Sequence, residues 1–368
     1  MATEPTTLQE AVVYFASPYN CREYVVPRRW PDGVVCPTCG GDKVKFQPQH
    51  NRWQCSARHS RRQFTLKTGT VMEDSPIGLD KWLTAMWLVA SNRNGVSSWE
   101  LHRALGVTQK TAWFLLHRVR LAMQDEKTGG KLSGTIESDE TYVGGKAANM
   151  HLDKLTRLKM QGHVRAGTDG KAIVMGLLER HGNARVKVLP NVRAFHIRTS
   201  EIENVEKGST VYSDSLRSYR NLPVDGFIHD FVDHSEQYVK GAVHTNGMEN
   251  FWSLFKRTIK GTYVSIEPFH LQAYADEQAF RFNNRLPMGD ADRFSYLVRK
   301  IVGKRLTYAE LTGKTEQASA LGKNRPFPLT KSDPHEEHDL PLGKKNNERY
   351  HPRRRRAVCR SIIRAAGA

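Results

Sequence analysis

Positions 243–257 read VHTNGMENFWSLFKR, a stretch that combines the start of a helix with a carboxylate that the helix alone explains poorly. Asn246 is a suitable N-cap, and apolar residues follow at the three- and four-residue steps of a buried helix face: Met248, Phe251, Phe255 and Ile259. Glu249 lies about 100° around the helix from this stripe. It shares its face with Ser253, Lys256 and Lys260. Because Glu249 closely follows the cap, it could also serve only to accept hydrogen bonds from backbone amides, so other acidic residues must decide its role.

Two further carboxylates occur in predicted strands. Residues 136–143 read IESDETYV and predict a strand that contains Asp139, while residues 211–215 read VYSDS and predict a strand that ends at Asp214. A carboxylate in a sheet must be paired, solvated or neutralised by a metal, because burying an isolated charge is costly. Each residue also has a simpler interpretation, since Asp214 could cap a helix over residues 215–221 and Asp139 could face solvent. Taken together with Glu249, they favour one shared acidic site.

Three segments carry a resemblance to a known family: ESDETYVGGK at 137–146, SDSLRSY at 213–219 and HTNGMENFW at 244–252. They resemble the DDE transposases of bacterial insertion sequences that carry an amino-terminal zinc ribbon, and among these the fifteen-ninety-five group with its ISXO-type, integrase-like domain. The likeness extends from about residue 34 to residue 308, and the 34 residues 215–248 match the last interval of the Asp-Asp-Glu triad. The resemblance implies an RNase H-like fold in which Asp139, Asp214 and Glu249 hold two divalent cations, Mg²⁺ or Mn²⁺.

The composition of the chain indicates a polyanionic partner. The 368 residues have room for two or three domains, and 56 Lys and Arg against 38 Asp and Glu give a formal net charge of +18. Such a basic chain suits DNA. It has no run of 18 apolar residues, and the first residues lack the basic and apolar regions of a signal peptide. We therefore expect a cytoplasmic protein that does not bind membranes, and the resemblance to bacterial transposases implies a prokaryotic, nucleoid-associated one.

The cysteines predict a metal site near the amino terminus. Residues 36–41 read CPTCGG, a two-cysteine knuckle, and residues 55–59 read CSARH, which supplies Cys55 and His59. Strands are predicted at residues 44–46 and 51–54 between the two halves. The resembled family usually has two cysteines in the second half, so His50 is a rival to His59 as fourth ligand. Clustered thiols in a reducing compartment favour structural zinc over a disulfide, with Cys36, Cys39, Cys55 and His59 as the ligands.

A pair of helices follows the ribbon. After a packing helix at residues 79–89, helices are predicted at residues 97–105 and 108–123, joined by a turn that contains Gly106. In a helix-turn-helix the second helix enters the major groove with its amino-terminal residues. The residues placed nearest DNA are therefore Gln109, Lys110 and Trp113. A helical bundle that never touches DNA is the alternative.

The rest of the chain predicts an α/β domain and a basic tail. Beyond a linker at residues 127–135 and a basic loop at 144–170, the pattern predicts a hairpin at residues 172–189, a helix at 197–205, a strand at 210–213 and a helix at 269–285. Further basic residues expected on DNA are Lys256, Arg257 and Lys260. Arg281 and Arg285 could bind phosphate, and His234 or His244 could assist the site or lie at the surface. The chain beyond Lys314 is rich in charge and predicts partial disorder.

The predicted architecture is a multidomain α/β protein. It comprises a leader (1–32), a zinc ribbon (33–70), a helix-turn-helix domain (77–125), an RNase H-like DDE catalytic domain with a mixed sheet (134–288) and a basic carboxyl-terminal extension (289–368). The expected function is that of a transposase that binds terminal inverted repeats and target DNA as a homodimer or higher oligomer, and cleaves and joins strands. A DNA-binding regulator with a non-catalytic central domain and a metal-dependent nuclease are the alternatives.

Overall fold

The computed structural model describes residues 3–124, 130–144, 171–214, 222–232, 244–286 and 288–314, together with Asp153, Thr156, Met160 and Tyr219. Four sequence predictions fall wholly or almost wholly outside these residues. They concern the basic loop at 144–170, the helix at 215–221, His234 and the tail beyond Lys314.

Two helices precede the ribbon, α1 (Leu8–Phe15) and α2 (Pro18–Arg29). A capping box between Thr7 and Glu10 begins α1. Phe15 and Tyr24 are buried, and both rings pack against Phe294 at centroid distances of 5.7 and 5.4 Å. The segment assigned to a leader is therefore part of the core, because its apolar residues are covered by a helix some 270 residues further along the chain.

The ribbon is a three-stranded antiparallel sheet of β1 (Val44–Gln47), β2 (Arg52–Cys55) and β3 (Gln63–Phe64). Asn51 takes a left-handed conformation with φ of 46° at the turn between the first two strands. Trp53 is buried between the rings of Trp30 and Phe64. These aromatic contacts attach the small sheet to α2.

Three helices follow, α3 (Leu79–Ser91), α4 (Ser98–Leu105) and α5 (Gln109–Met123). Ser97 and Glu100 form a capping box at the start of α4, and the Thr108 side chain caps α5. Between them Gly106 has φ of 59°, the left-handed conformation that ends a helix. Two helices with a glycine turn thus occur where the sequence predicts them, within one residue at each end.

The central domain is built on a five-stranded mixed sheet. Its strands are β4 (Thr135–Val143), β5 (Ala172–Glu179), β6 (Ala184–Leu189), β7 (Thr210–Asp214) and β8 (Ile228–Val232), in the spatial order β6-β5-β4-β7-β8. Strand β5 is antiparallel to both of its neighbours, β4 and β6, whereas β7 runs parallel to β4 and β8 parallel to β7. Consequently β4 is the central strand, with the hairpin on one side and the parallel strands on the other.

Helices cover the sheet. One apolar cluster joins it to α7 (Asn246–Thr258) and α8 (Leu271–Asn283), while a second cluster includes Ile197 of α6 (Ala194–Asn204). Helix α7 begins at Asn246, and its N-cap Thr245 makes no side-chain cap bond. The prediction that Asn246 caps this helix is therefore wrong by one residue. The predicted apolar stripe is confirmed, since Met248, Phe251 and Phe255 are buried.

The described residues that follow the central domain pack against the amino-terminal half of the protein. Helix α9 (Asp290–Arg299) packs against α2 and α3, and α10 (Tyr308–Leu311) follows it. Phe294, Leu297 and Val298 of α9 are fully buried in the core shared with α1 to α5. The predicted boundary at residue 289 thus cuts through packed structure, because this short helix supplies the apolar cover for α1 and α2. Within the described residues no helix is long and apolar enough to span a membrane.

Candidate functional site

An acidic cluster lies where β4 and β7 run side by side. The parallel register pairs Glu137 with Tyr212, so Asp139 comes beside Asp214 two residues further along both strands. One carboxylate oxygen from each of Asp139, Glu140 and Asp214 lies within 4.8 Å of the others. The structure thus brings together two of the three predicted acidic residues at the centre of the sheet and adds Glu140.

Asp139 is held from α7. The indole Nε1 of Trp252 donates a hydrogen bond of 2.9 Å to Asp139 Oδ2. Burial raises the pKa of Asp139 to about 6, and the charge of Asp214 adds to this, while the Glu140 amide and Trp252 oppose it. A cation would remove the repulsion between these carboxylates. Clustered carboxylate oxygens are the donor set that Mg²⁺ and Mn²⁺ prefer, so the residues present fit the implied ions.

Glu140 is the member of the cluster that the sequence analysis did not assign. Its Oε1 accepts a 2.7 Å hydrogen bond from the Tyr219 hydroxyl. Burial raises the pKa of Glu140 to about 8 against the effect of this hydrogen bond, and the charges of Asp214 and Asp139 raise it further. Successive side chains of a strand face opposite sides of the sheet, so the sequence places Glu140 on the opposite face from Asp139. For this reason the sequence pattern does not predict that Glu140 joins the cluster. The available signal was its position inside the ESDETYVGGK motif.

Glu249 lies on the exposed first turn of α7 and is not one of the three clustered carboxylates. Its charge nevertheless contributes to the raised pKa of Asp139. Trp252, which contacts Asp139 directly, is three residues further along the same helix. Glu249 is therefore close enough to the cluster for its charge to act on Asp139.

The first turn of α7 is capped from β4. Glu137 is buried, and its Oε2 accepts a 3.0 Å hydrogen bond from the Met248 amide. Its other oxygen lies 3.1 Å from Arg180 Nε, and Arg180 Nη2 donates to the His244 carbonyl at 3.1 Å. A Cβ on Gly247 would lie 2.8 Å from Glu137 Oε2, so only glycine allows this approach. The capping role that could have explained Glu249 thus belongs to Glu137.

A second cluster lies in the ribbon. One ligand atom from each of Cys36, Cys39, Cys55 and His59 lies within 4.8 Å of the others. Cys36 Sγ is 3.5 Å from His59 Nε2, and Cys39 Sγ is 3.6 Å from Cys55 Sγ. Ligands of tetrahedral zinc with bonds of about 2.0–2.3 Å are separated by about 3.6–3.8 Å, so the set fits zinc.

The local backbone of the knuckle favours a thiolate. Gly40 has φ of 72° directly after the second cysteine and donates its amide to the Cys36 carbonyl at 2.8 Å. Burial alone would raise the pKa of Cys36, but the amides of Cys39 and Thr38 and the neighbouring thiols outweigh it and lower the pKa. A lowered thiol pKa is what metal ligation requires.

Two family models match the chain. The transposase zinc-ribbon domain matches residues 18–60, and the ISXO2-like transposase domain matches residues 131–283. This chain belongs to the IS1595-type transposases. The match of the ribbon model begins at Pro18, the first residue of α2, in agreement with the packing of Trp30 at the end of that helix on the ribbon.

Two relatives support this assignment. The transposase is 29% identical to a Halobacterium salinarum protein described as an uncharacterized protein in transposable element ISH50, over 66% of this chain and 83% of the relative. It is 35% identical to an uncharacterized transposase-like protein of Haemophilus influenzae, over 26% of this chain and 78% of that relative. Membership of the family implies a protein that acts on DNA.

The residues expected on DNA differ in their surroundings. Lys110 is exposed near the start of α5, with Nζ 4.7 Å from the Tyr308 ring centroid. Gln109 donates to Ser98 Oγ at 2.9 Å and so joins α5 to α4. Trp113 is partly buried, and its ring packs against those of His117, His270 and Tyr308. Two of the three residues therefore have packing roles inside the transposase.

The basic residues of the central domain also separate into two groups. Lys256, Arg257 and Lys260 are exposed on α7 and the turn that follows it. Arg281, in contrast, is buried and paired with Glu277. The suggestion that Arg281 binds phosphate is therefore wrong, because its guanidinium is engaged in the core.

Proposed function

We propose that this transposase binds the ends of its insertion sequence and performs metal-dependent cleavage and transfer of DNA strands at a centre formed by Asp139, Asp214 and Glu249. The observation that carries the proposal is the cluster of Asp139, Glu140 and Asp214 on neighbouring strands, with ligand oxygens within 4.8 Å of one another, to which α7 adds the nearby charge of Glu249. Carboxylates held this close repel one another, and a divalent cation bound between them would remove that repulsion.

The order of the strands supports an RNase H-like fold for the central domain. A hairpin follows the first strand, a helix leads into β7, and acidic residues lie on the two strands that run parallel at the centre. This is the order of strands and acids that the resemblance implies. Because one fold serves many functions, the proposal depends on the acidic residues rather than on the topology.

Each residue of the centre has a separate task. Asp139 and Asp214 provide carboxylate oxygens from the sheet, and Trp252 fixes the orientation of Asp139 through its indole hydrogen bond. Glu249 provides a third carboxylate from α7, whose position is set by the contact between Glu137 and Met248. When bound, two Mg²⁺ or Mn²⁺ ions supply an activated nucleophile and stabilise the attacking and leaving oxygens of phosphoryl transfer.

The ribbon holds a structural zinc through Cys36, Cys39, Cys55 and His59. Four protein ligands leave no open position for a substrate. His59 is preferred to His50 because its Nε2 lies 3.5 Å from Cys36 Sγ, whereas His50 is exposed outside the cluster. Binding energy of about 10–16 kcal/mol would stabilise this small sheet and, through Trp30, the helix beside it.

Helices α4 and α5 form the DNA-reading helix-turn-helix in this proposal. The capped start of α5 carries exposed Lys110, and the basic residues of α7 provide further phosphate contacts from Lys256, Arg257 and Lys260. Contacts of this kind position a duplex without reading its bases. Joining requires two element ends and a target, which favours a homodimer or larger assembly on DNA.

The test is an assay that joins labelled element ends to target DNA with purified, zinc-loaded protein. We expect joined products with Mg²⁺ or Mn²⁺ and none without either ion. Cleaved but unjoined DNA would show a nuclease instead. End binding without any cleavage in either ion would show a regulator and overturn the proposal.

A further inference from the structure

A chain of buried polar groups leads from the acidic cluster into the other layer of the domain. The Tyr219 hydroxyl lies 2.7 Å from Glu140 Oε1 and 3.2 Å from Ser138 Oγ, and Ser138 Oγ lies 2.7 Å from Glu201 Oε1. Ser138, Glu201 and Tyr219 are almost completely inaccessible to solvent. This series of hydrogen-bonded side chains thus begins at the clustered carboxylate of Glu140 and ends at the carboxyl group of Glu201 on α6.

The Tyr219 hydroxyl has one hydrogen, and the shorter of its two contacts is the one to Glu140 Oε1, to which it donates at 2.7 Å. The Ser138 hydroxyl likewise has one hydrogen, and it lies 2.7 Å from Glu201 Oε1 and 3.2 Å from the Tyr219 oxygen. In this geometry Glu140 accepts the tyrosine hydrogen, as an ionised metal ligand would.

We propose that Glu140 is a further carboxylate ligand of the divalent cations in the acidic centre, and that Tyr219 is the positioning residue that holds it there. This inference rests on the proposed function and adds one ligand to its triad. Among the residues that the structure describes, the favourable partner shown for the Glu140 carboxylate is the Tyr219 hydroxyl, and a neutral hydroxyl does not offset two negative neighbours. A cation does. Second-layer groups that orient ligands in this manner commonly influence metal affinity.

A purely structural reading makes different predictions. If Glu140 only anchors Tyr219 in the core, glutamine can replace it with little effect on cations, because its carbonyl still accepts the tyrosine hydrogen. If Glu140 is a ligand, Glu140→Gln keeps that hydrogen bond and removes a charge from the centre. The protein without Mn²⁺ should then fold as well as the natural one or better.

The experiment measures Mn²⁺ binding to full-length, zinc-loaded protein from the electron paramagnetic resonance of free Mn²⁺. We expect Tyr219→Phe to raise the Mn²⁺ dissociation constant about 10–100-fold, and Glu140→Gln to raise it at least as much. Water proton relaxation should detect additional Mn²⁺-bound water in Glu140→Gln, which a structural role would not produce. Matched controls are Tyr212→Phe, which removes a tyrosine hydroxyl from β7, and Glu203→Gln, which removes an exposed charge of α6 paired with Lys187.

The outcomes are separable. Unchanged Mn²⁺ affinity in both Glu140→Gln and Tyr219→Phe overturns this inference. If Asp139→Asn abolishes binding in the same experiment while those two do not, the proposed function survives and only the added ligand is lost. If Asp139→Asn also leaves binding unchanged, the proposed function fails with it. Should Glu140→Gln fail to fold, Tyr219→Phe decides the question, and unchanged affinity there refutes the positioning role.

Discussion

Replacing Asp139 by asparagine should stabilise this transposase in the absence of Mg²⁺ and Mn²⁺. The pKa of Asp139 is raised from 3.8 to about 6 in the folded protein, chiefly by burial and by the charge of Asp214. At pH 7 the ionised group therefore opposes folding by about 3 kcal/mol, since each unit of pKa corresponds to about 1.4 kcal/mol. Asparagine removes the charge but can still accept the hydrogen bond from Trp252.

The sign of the pH dependence follows from proton binding. Between pH 4 and 6 the folded state binds more protons at Asp139 than the unfolded state does, so stability rises as the pH falls through this window. The advantage of Asp139→Asn should be fully present above about pH 6, fall to roughly half near pH 5, and disappear near pH 4. Saturating Mg²⁺ should reverse it, because the cation binds and stabilises only the natural carboxylate.

Urea unfolding of zinc-loaded protein at pH 5, 6 and 7, without chelators so that the ribbon keeps its metal, measures this effect. The exposed residue Asp32 provides a control through Asp32→Asn, which should change the free energy of unfolding by less than about 0.5 kcal/mol. An Asp139→Asn protein that is less stable than the natural one at pH 7 without Mg²⁺ would refute the reasoning. It would show that Asp139 is stabilised by a partner other than a cation.

Three further changes test other parts of the proposal. Glu249→Gln should leave DNA binding and stability within about 0.5 kcal/mol of the natural protein, as for an exposed residue, while strand joining is lost in a gel assay. Lys110→Ala should weaken end binding and reduce the slope of log affinity against log salt by about 0.9, the value for one phosphate contact. His59→Ala should lose tight zinc binding in metal analysis, whereas His50→Ala should keep it.

For each of these three predictions a specific result would contradict it. Normal strand joining by Glu249→Gln would show that Glu249 is a surface residue of α7 with no role in the acidic centre. An unchanged salt slope in Lys110→Ala would remove the start of α5 from the DNA interface. If His59→Ala retains zinc and His50→Ala loses it, the fourth zinc ligand is His50 and not His59.

Local signals in the sequence located the two strands that carry Asp139 and Asp214, and the family resemblance joined these residues to Glu249 as one expected centre. Residues 136–143 and 211–214 have strand patterns with an acid at corresponding positions, so their parallel pairing brings Asp139 and Asp214 together. The spacing of the cysteines likewise predicted a cluster with His59, which the structure brings within 3.5 Å of Cys36. Both inferences depended on patterns within short segments of the chain, namely strand alternation and the spacing of the cysteines.

The predictions that failed depended on partners far away in the chain. Arg281 was considered for phosphate because the sequence does not show that Glu277, four residues earlier on the same helix, is buried with it. The burial of this pair involves Arg120, 157 residues from Glu277 in the chain, which donates a 2.6 Å hydrogen bond to Glu277. The cover that α9 provides for α1 is equally remote in sequence. Glu140 was missed for a different reason, since alternation along a strand does not show that Tyr219 will hold its carboxylate beside Asp139.

If the carboxylate cluster performs the chemistry on DNA, loss of one carboxylate must stop strand joining without loss of DNA binding. The most direct measurement is single-turnover joining of labelled element ends by the purified Asp214→Asn protein in Mg²⁺, with end binding measured on the same sample. We expect normal end binding and no joined product, because the variant keeps the fold and loses a ligand oxygen charge between β4 and β7. Joining at a rate close to that of the natural protein would contradict it.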